Sequence, residues 1–310
     1  MKTAISLAQP VLETSTTQAT LEAIWARLAA YVALAKPRIV LMVLVTVGVG
    51  FLLGARGSAH PATLTLTLLG TALVAAGAST LNQWMERACD ARMRRTAHRV
   101  LPTGRAGPFE AATLGILQSL AGTVVLLLGA NLLAAAVAVV TLLVYVLVYT
   151  PLKPWTTLNT VIGAVPGALP PVIGWAAATG TLGIEAWTLF LIVFLWQFPH
   201  FLAIAWIYRE DYARGGLKML PEVDPQGFLT GHQATTYALA LLPASLLPTA
   251  VGLAGPFYFV GALFLSLFYL KAAARFWISV SESTARRLLR ASFLYLPAVL
   301  LLLVLNPLPY

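Results

Sequence analysis

Charge is what this sequence has least of. Only 10% of its 310 residues are Asp, Glu, Lys or Arg, and 59% are hydrophobic, whereas about a quarter of a soluble domain is charged. That excludes an ordinary water-soluble globule and points to a polytopic membrane protein. Cysteine is nearly absent. Cys89 stands alone, which excludes an intramolecular disulfide and a thiolate metal site. Acidic residues are scarce, 11 against 20 Lys and Arg, giving a net charge of +9. The N-terminal stretch lacks an uninterrupted apolar run after Lys2, so no cleaved signal peptide is read there. Glu13 and Glu22, with few arginines around them, speak against a mitochondrial transit peptide. No sequence repeat is evident.

What the chain does have is apolar segments of spanning length, about 17–25 residues each. Nine are expected, near 38–55, 62–82, 108–129, 131–150, 158–178, 185–208, 233–253, 256–274 and 289–307. Residues 20–35 suit an amphipathic helix on the membrane surface, leading into Lys36-Pro37-Arg38. The connections alternate: Ala130-Asn131 and Ala254-Gly255 are barely turns, and those on the other side are long and basic. With nine spans and the N-terminus inside, every Lys and Arg except Arg56 falls on the cytoplasmic side, as the positive-inside rule requires. Membrane orientation therefore accounts for the basic balance without nucleic acid as a partner. The expectation is an all-α polytopic bundle of nine transmembrane helices. Residues 1–35 form a cytoplasmic N-terminal segment, residues 36–310 a single transmembrane domain, and the C-terminus lies outside.

The chemistry gathers between Asn82 and Arg105. Asn82, Glu86 and Asp90 are spaced i, i+4, i+8, and each step advances about 40° around a helix, so the three share nearly one face. Arg87, Arg92, Arg94, Arg95, Arg99 and Arg105 interleave or follow. Carboxylate and amide oxygens suit Mg²⁺, which is usually shared with substrate phosphates, and Mn²⁺ is an alternative ion. Arginine forks suit phosphate. The combination describes a site for a diphosphate with a divalent metal. The plainer reading is a solvated helix exit whose arginines merely obey topology. Against it stands scarcity: in a chain so poor in acid, two carboxylates four apart at a span's mouth are functional candidates.

A second charged loop follows the sixth span, whose end reads F-L-W-Q-F-P-H-F-L-A-I-A-W-I-Y-R-E-D-Y over residues 194–212. Pro199 is expected to kink it. Gln197 and His200, three apart, lie on one face, and Asp211 closes the segment. The plain alternatives are a His200 hydrogen-bonded within the bundle and a Glu210-Asp211 pair that is solvated loop charge. A third patch, Tyr149 to Asn159, carries Lys153. The span after it, G-A-V-P-G-A-L-P-P-V-I-G-W over 163–175, has prolines and glycines enough to bend or unwind it, which is tolerated where backbone is packed or lines a cavity.

These stretches carry a resemblance. N-x3-E-x3-D followed by R-T-x2-R and L-P-x-G-R resembles the first signature of the UbiA superfamily of intramembrane prenyltransferases. N-x-W-x-E-x3-D-x2-M-x-R-T-x2-R, together with W-Q-x-P-H-F, D-Y and M-L-P, is similar to that superfamily's haem O synthase branch. The likeness covers roughly residues 36–222; the last three spans match only in hydropathy.

The resemblance implies a UbiA-like bundle with its cavity opening at the cytoplasmic side. It implies transfer of farnesyl from farnesyl diphosphate to a vinyl group of protohaem IX, making haem O. Asn82, Glu86, Asp90 and Asp211 would be the catalytic set holding Mg²⁺. Arg95, Arg99 and Lys153 would bind diphosphate, and Gln197 and His200 would lie on the haem side. Trp84, Trp196, Phe198 and Trp206 are the nearby aromatic faces that could shield an allylic cation.

The chain departs from the pattern twice. Ile207 stands where the superfamily often has a second aspartate, and Pro154 where an arginine is common. Such an enzyme would sit in a bacterial inner membrane, contacting the lipid bilayer, with haem A synthase or terminal-oxidase assembly proteins as candidate partners. Two alternatives are a prenyltransferase with an aromatic or quinone-precursor acceptor and a polytopic transporter. The transporter reading expects charge near the midplane, whereas these carboxylates sit at the cytoplasmic rim.

Overall fold

A computed structural model describes residues 10–308, with side chains from Leu21 onward. The described residues form helices α1 (Pro10–Ala35), α2 (Pro37–Ala55), α3 (Pro61–Arg92), α4 (Pro108–Gly129), α5 (Leu132–Leu143), a π-helical stretch (Val144–Tyr149), α6 (Thr150–Leu152), α7 (Asn159–Ala168), α8 (Pro170–Thr179), α9 (Ile184–Ile207), α10 (Arg209–Gly215), α11 (Leu220–Val223), α12 (Phe228–Ala250), α13 (Pro256–Ile278) and α14 (Glu282–Leu305). There is no β-strand among them, only an isolated bridge between Ala254 and Pro307. Proline opens α2, α3, α4 and α13, where its missing N–H costs nothing and its fixed φ is already helical. Asn131 caps α5 by accepting from the Ala134 amide at 2.9 Å, and the left-handed Gly180 ends α8.

Eight helical segments are long and apolar enough to cross a bilayer: α2, α3, α4, Leu132–Leu152, Asn159–Thr179, α9, α13 and α14. The fifth, as anticipated, is broken, at Leu169 between α7 and α8. The segment expected over 233–253 is α12, 23 residues long. It packs between α9 and α13, but its polar early turns (Gln233, Thr235, Thr236) and its two prolines leave it less apolar than the rest. α3 is longer than expected. At 32 residues and 1.5 Å each it reaches about 48 Å, well beyond a hydrocarbon core of about 30 Å. Its last turns, from Asn82, therefore emerge as rigid helix.

The bundle closes through small residues. A Cβ on Gly50 would lie 2.0 Å from the Pro171 carbonyl, and one on Gly174 1.9 Å from the Val47 carbonyl, so α2 and α8 cross in backbone contact. α3 and α4 do the same at Gly77 and Gly122. Without a hydrophobic drive between helices in lipid, such close approach is what gives dispersion its grip. The stretch from Pro170 to Ala177 is buried throughout, so α8 is the centre of the molecule. Large apolar side chains such as Leu128 and Phe264 lie exposed around the outside, as a lipid-facing surface requires. α1 rests Ala30 and Leu34 against Val100, Ala106 and Ala111. Its opposite face, Leu21, Ile24, Trp25, Leu28 and Val32, is exposed; a helix is present where one was expected, with apolar side chains on both faces.

Candidate active site

The end of α3 carries the oxygen strip. Asn82, Glu86 and Asp90 are all buried, and each already faces a basic side chain. Asn82 Oδ1 accepts from Lys36 Nζ at 3.2 Å, Glu86 Oε1 from Lys153 Nζ at 2.5 Å, and both Asp90 oxygens from Arg99 Nη1 at 2.8 and 2.7 Å. Asp211, on α10, pairs with Arg214 and accepts from the backbone amides of Arg94 and Arg95 at 3.1 and 3.2 Å. The two charged loops do meet. Arg92 adds a bond to the Gly215 carbonyl at 2.7 Å, and Arg95 lies between Tyr208 and Tyr212, 4.9 and 5.6 Å from their ring centres.

The third loop joins them. Lys218 donates its amide to the Lys153 carbonyl at 2.8 Å, and the Asn159 side chain donates to the Lys218 carbonyl at 2.8 Å. Lys153 owes its position to the π-helical stretch before it. Pro151 has no N–H for the carbonyl four residues back and its ring crowds that carbonyl, and the helix widens there, a form common at functional sites. Thr150 then turns its hydroxyl to the Tyr145 carbonyl at 2.8 Å and accepts from Asn82 Nδ2 at 3.1 Å. Lys153 comes to lie over the Tyr149 ring, 4.4 Å from its centre.

The electrostatics follow from crowding. Burial, reinforced by the Arg99 charge, pushes the Lys36 ammonium down to about 7. Burial opposes the Lys153 charge, but Tyr149 and the Glu86 carboxylate outweigh it and raise its pKa. Burial likewise raises Asp211, but the Arg214 side chain and the Arg94 and Arg95 amides more than offset it and hold the carboxylate below its usual range. Among the described residues no three acidic, histidine or cysteine side chains converge on one point; Glu86, Asp90 and Asp211 are each paired with a different cation. The donor set nonetheless fits a hard divalent ion, being all oxygen. Arg95 Nε, buried and donating to nothing, fits an anion beside it.

The acceptor candidates diverge. Gln197 points to α7, donating to the Ala164 carbonyl at 3.1 Å in space left open by Gly167. His200 points to α14. Its Nδ1 lies 2.7 Å from Ser292 Oγ, and its ring stacks on Trp196 and meets Phe201 and Phe293 edge-on. Residues three apart on a helix differ by about 60°, enough to send them to different neighbours. α9 runs on as one helix through Pro199. Of the aromatic faces, Phe198 stacks on Tyr237 and Trp206 packs against Phe276, both away from the strip. Tyr149 lies beside the strip under Lys153 with Tyr145 packed on it, and Tyr208 and Tyr212 flank Arg95. Lys36, Thr150 and Arg214 belong to the site as well and were not singled out by sequence. Lys36 was marked only as a cytoplasmic charge leading into the first span.

A buried strip of oxygen-bearing side chains, each met by a Lys or Arg, lies at one end of a helical bundle built to cross a membrane: the class is that of intramembrane proteins with a polar site at the end of the bundle. Residues 43–305 match the UbiA prenyltransferase family, and the chain belongs to it. The chain is 46% identical over 285 residues to the protoheme IX farnesyltransferase of Solibacter usitatus, covering 89% of this chain and 98% of that one. It is 45% identical over 276 residues to the protein of that name from Salinibacter ruber, with the same coverage. Among solved structures, a digeranylgeranylglyceryl phosphate synthase aligns with a TM-score of 0.77 at 18% identity, covering 90% of this chain and 98% of that one. A UbiA homologue from Archaeoglobus fulgidus bound to GPP and Mg²⁺ aligns at 0.63 and 18% identity, covering 88% and 99%. The chain is an integral membrane protein with the fold of that family.

Proposed function

We propose that this chain transfers a farnesyl group from farnesyl diphosphate to a vinyl group of protohaem IX, making haem O. The observation that carries the reading is the strip Asn82–Glu86–Asp90, met side chain for side chain by Lys36, Lys153 and Arg99 and tied to the loop of Asp211. Its relatives named protoheme IX farnesyltransferase support the choice of donor and acceptor.

In this reading Asn82, Glu86, Asp90 and Asp211 hold Mg²⁺, for which Mn²⁺ can substitute. When bound, the metal neutralises charge on the leaving diphosphate. Arg95, Arg99, Lys153 and Lys36 hold diphosphate oxygens, the last three leaving their carboxylate and amide partners to do so. The C–O bond breaks and diphosphate departs with the electron pair. The allylic cation left behind is shielded from water by the bundle and stabilised by ring faces, of which Tyr149 is the nearest to Lys153. The haem vinyl group attacks the farnesyl carbon, and water adds to the adjacent carbon and loses a proton, giving the hydroxyethylfarnesyl group. Gln197, turned to α7, and His200, turned to α14, would meet the acceptor from different sides. His200 suits that role through an Nδ1 fixed by Ser292, the arrangement that leaves the other ring nitrogen available.

Residues 36–310 act as one transmembrane domain of nine spans, α12 included, in a bacterial inner membrane, with residues 1–35 on the cytoplasmic side and the C-terminus in the periplasm. The distribution of Lys and Arg supports that orientation. Extracting pigments from membranes with and without this chain, and separating them by hydrophobicity, tests the reaction. A more hydrophobic haem should appear only with the protein. A prenylated quinone precursor in its place would refute the haem assignment.

A further inference from the structure

Lys36 adopts φ 51°, ψ 63°, a left-handed conformation that L side chains disfavour and glycine takes freely. Such strain persists only where surrounding structure enforces it. Here the enforcement is visible. Gln83, the residue after Asn82 on α3, is buried and donates Nε2 to the Leu34 carbonyl at 2.7 Å. That carbonyl belongs to the last turn of α1, where helical partners run out. Two turns earlier, Arg27 donates to Glu110 Oε1 through Nε at 3.2 Å and Nη2 at 2.8 Å, and one turn earlier the Tyr31 hydroxyl donates to the same oxygen. The other Glu110 oxygen accepts from the Gly107 amide at 3.1 Å, so Glu110 is held by α4 while it holds α1. Between these ties, Ala30 and Leu34 sit on Val100 and Ala106, in the loop that carries Arg95 and Arg99. Apart from the half-buried Tyr31 and Ala35, the other described side chains of α1 are exposed, so these contacts are what hold this part of it.

We propose that Gln83 and Glu110 are positioning residues for donor binding: by fastening the last two turns of α1 they deliver Lys36 onto Asn82, and α1 is the strap that completes the diphosphate site. Adjacent residues of α3 share the task, Gln83 gripping the strap and Asn82 receiving its lysine. The inference rests on the donor-site reading given above.

The test is a set of double-mutant cycles on the full chain in nanodiscs, with inorganic pyrophosphate and Mn²⁺ as probe and calorimetric binding as readout. Lys36→Met should weaken pyrophosphate about tenfold, as expected for losing a charged hydrogen-bond partner. Gln83→Leu and Glu110→Gln should each weaken it severalfold. Neither should weaken it further once Lys36→Met is present, because a strap without its lysine has nothing to deliver. Lys36→Gly should raise the melting temperature while weakening pyrophosphate, a pair of opposite effects that a purely structural residue would not give. Should Gln83→Leu fail to fold, the Glu110→Gln cycle carries the test, since Glu110 lies outside the site. If the losses from Glu110→Gln and Lys36→Met multiply, the strap is overturned and the donor-site reading stands. If Lys36→Met leaves pyrophosphate binding unchanged, Lys36 leaves the donor site and the strap falls with it.

Discussion

Asp90 and Arg99 make an unequal pair, and the inequality can be measured. The Asp90 side chain is 1% exposed and the Arg99 side chain 25%. Arg99→Ala leaves a buried carboxylate without its cation. Asp90→Ala leaves a guanidinium that can turn toward water. Breaking a buried pair costs roughly 3–5 kcal/mol. Because Arg99 is a quarter exposed, the lower end applies, about 3 kcal/mol for Arg99→Ala, and about 1 kcal/mol for Asp90→Ala. At about 2–4 °C per kcal/mol for a chain of a few hundred residues, Arg99→Ala should melt roughly 6–12 °C lower than the parent and Asp90→Ala about a third as far below. The double variant should be no less stable than Asp90→Ala alone. The assay is thermal unfolding in nanodiscs by tryptophan fluorescence, without added metal. The same logic reaches metal binding. With each acid engaged by a cation, Mn²⁺ alone should bind the parent weakly and bind strongly once pyrophosphate draws those cations away. Arg99→Ala, its carboxylate released, should bind Mn²⁺ alone more tightly than the parent. If Asp90→Ala melts below Arg99→Ala, or if Arg99→Ala gains nothing in Mn²⁺ affinity, the charge-masking argument is wrong.

Asp90→Ala and Asp211→Ala should each abolish prenyl transfer, and the double variant should be little worse than the worse single, as for residues that act as a unit; losses that multiply would separate the two loops. Chelator should silence the parent and Mg²⁺ or Mn²⁺ restore it, whereas full turnover in excess chelator would remove metal from the mechanism. Gly174→Ala forces a Cβ to 1.9 Å from the Val47 carbonyl and should destabilise by roughly 1–3 kcal/mol or more. Gly48→Ala, with nothing within 4 Å of its Cβ, should be neutral or slightly stabilising; equal melting temperatures for the two would contradict the α2–α8 crossing. A reporter fused after Tyr310 should read as periplasmic and one within 271–288 as cytoplasmic. A cytoplasmic C-terminus would mean that α12 does not cross.

Much of the proposed donor half of the site was legible because it is local. Asn82, Glu86 and Asp90 lie on one helix, so their common face follows from helical periodicity alone, and α3 displays it. Asp211 could be placed on the same membrane side from charge distribution, and its contact with the Arg94 and Arg95 amides bears out that the loops meet. The proposed acceptor half was harder. The i, i+3 spacing of Gln197 and His200 was read as one face, but what each touches depends on where α7 and α14 stand, and they stand on different sides of α9. Asp90 was read as lying at the cytoplasmic rim; the structure buries it, because the loop that follows folds Arg99 back over it.

The amino-acid sequence by itself determined the helical membrane class, the positions of most spans, an interruption within the proline- and glycine-rich stretch 163–175, and the residue types of the strip Asn82–Glu86–Asp90. All of these depend on hydropathy, period and proline chemistry within a window of some twenty residues. Tertiary structure alone decided which cation meets which acid. Lys36 reaches Asn82 across 46 positions and Lys153 reaches Glu86 across 67. Those pairings rest on a left-handed backbone at Lys36, a π-helical turn before Thr150 and glycine crossings that draw the helices together. No local pattern encodes them, because each is the result of several helices packing at once.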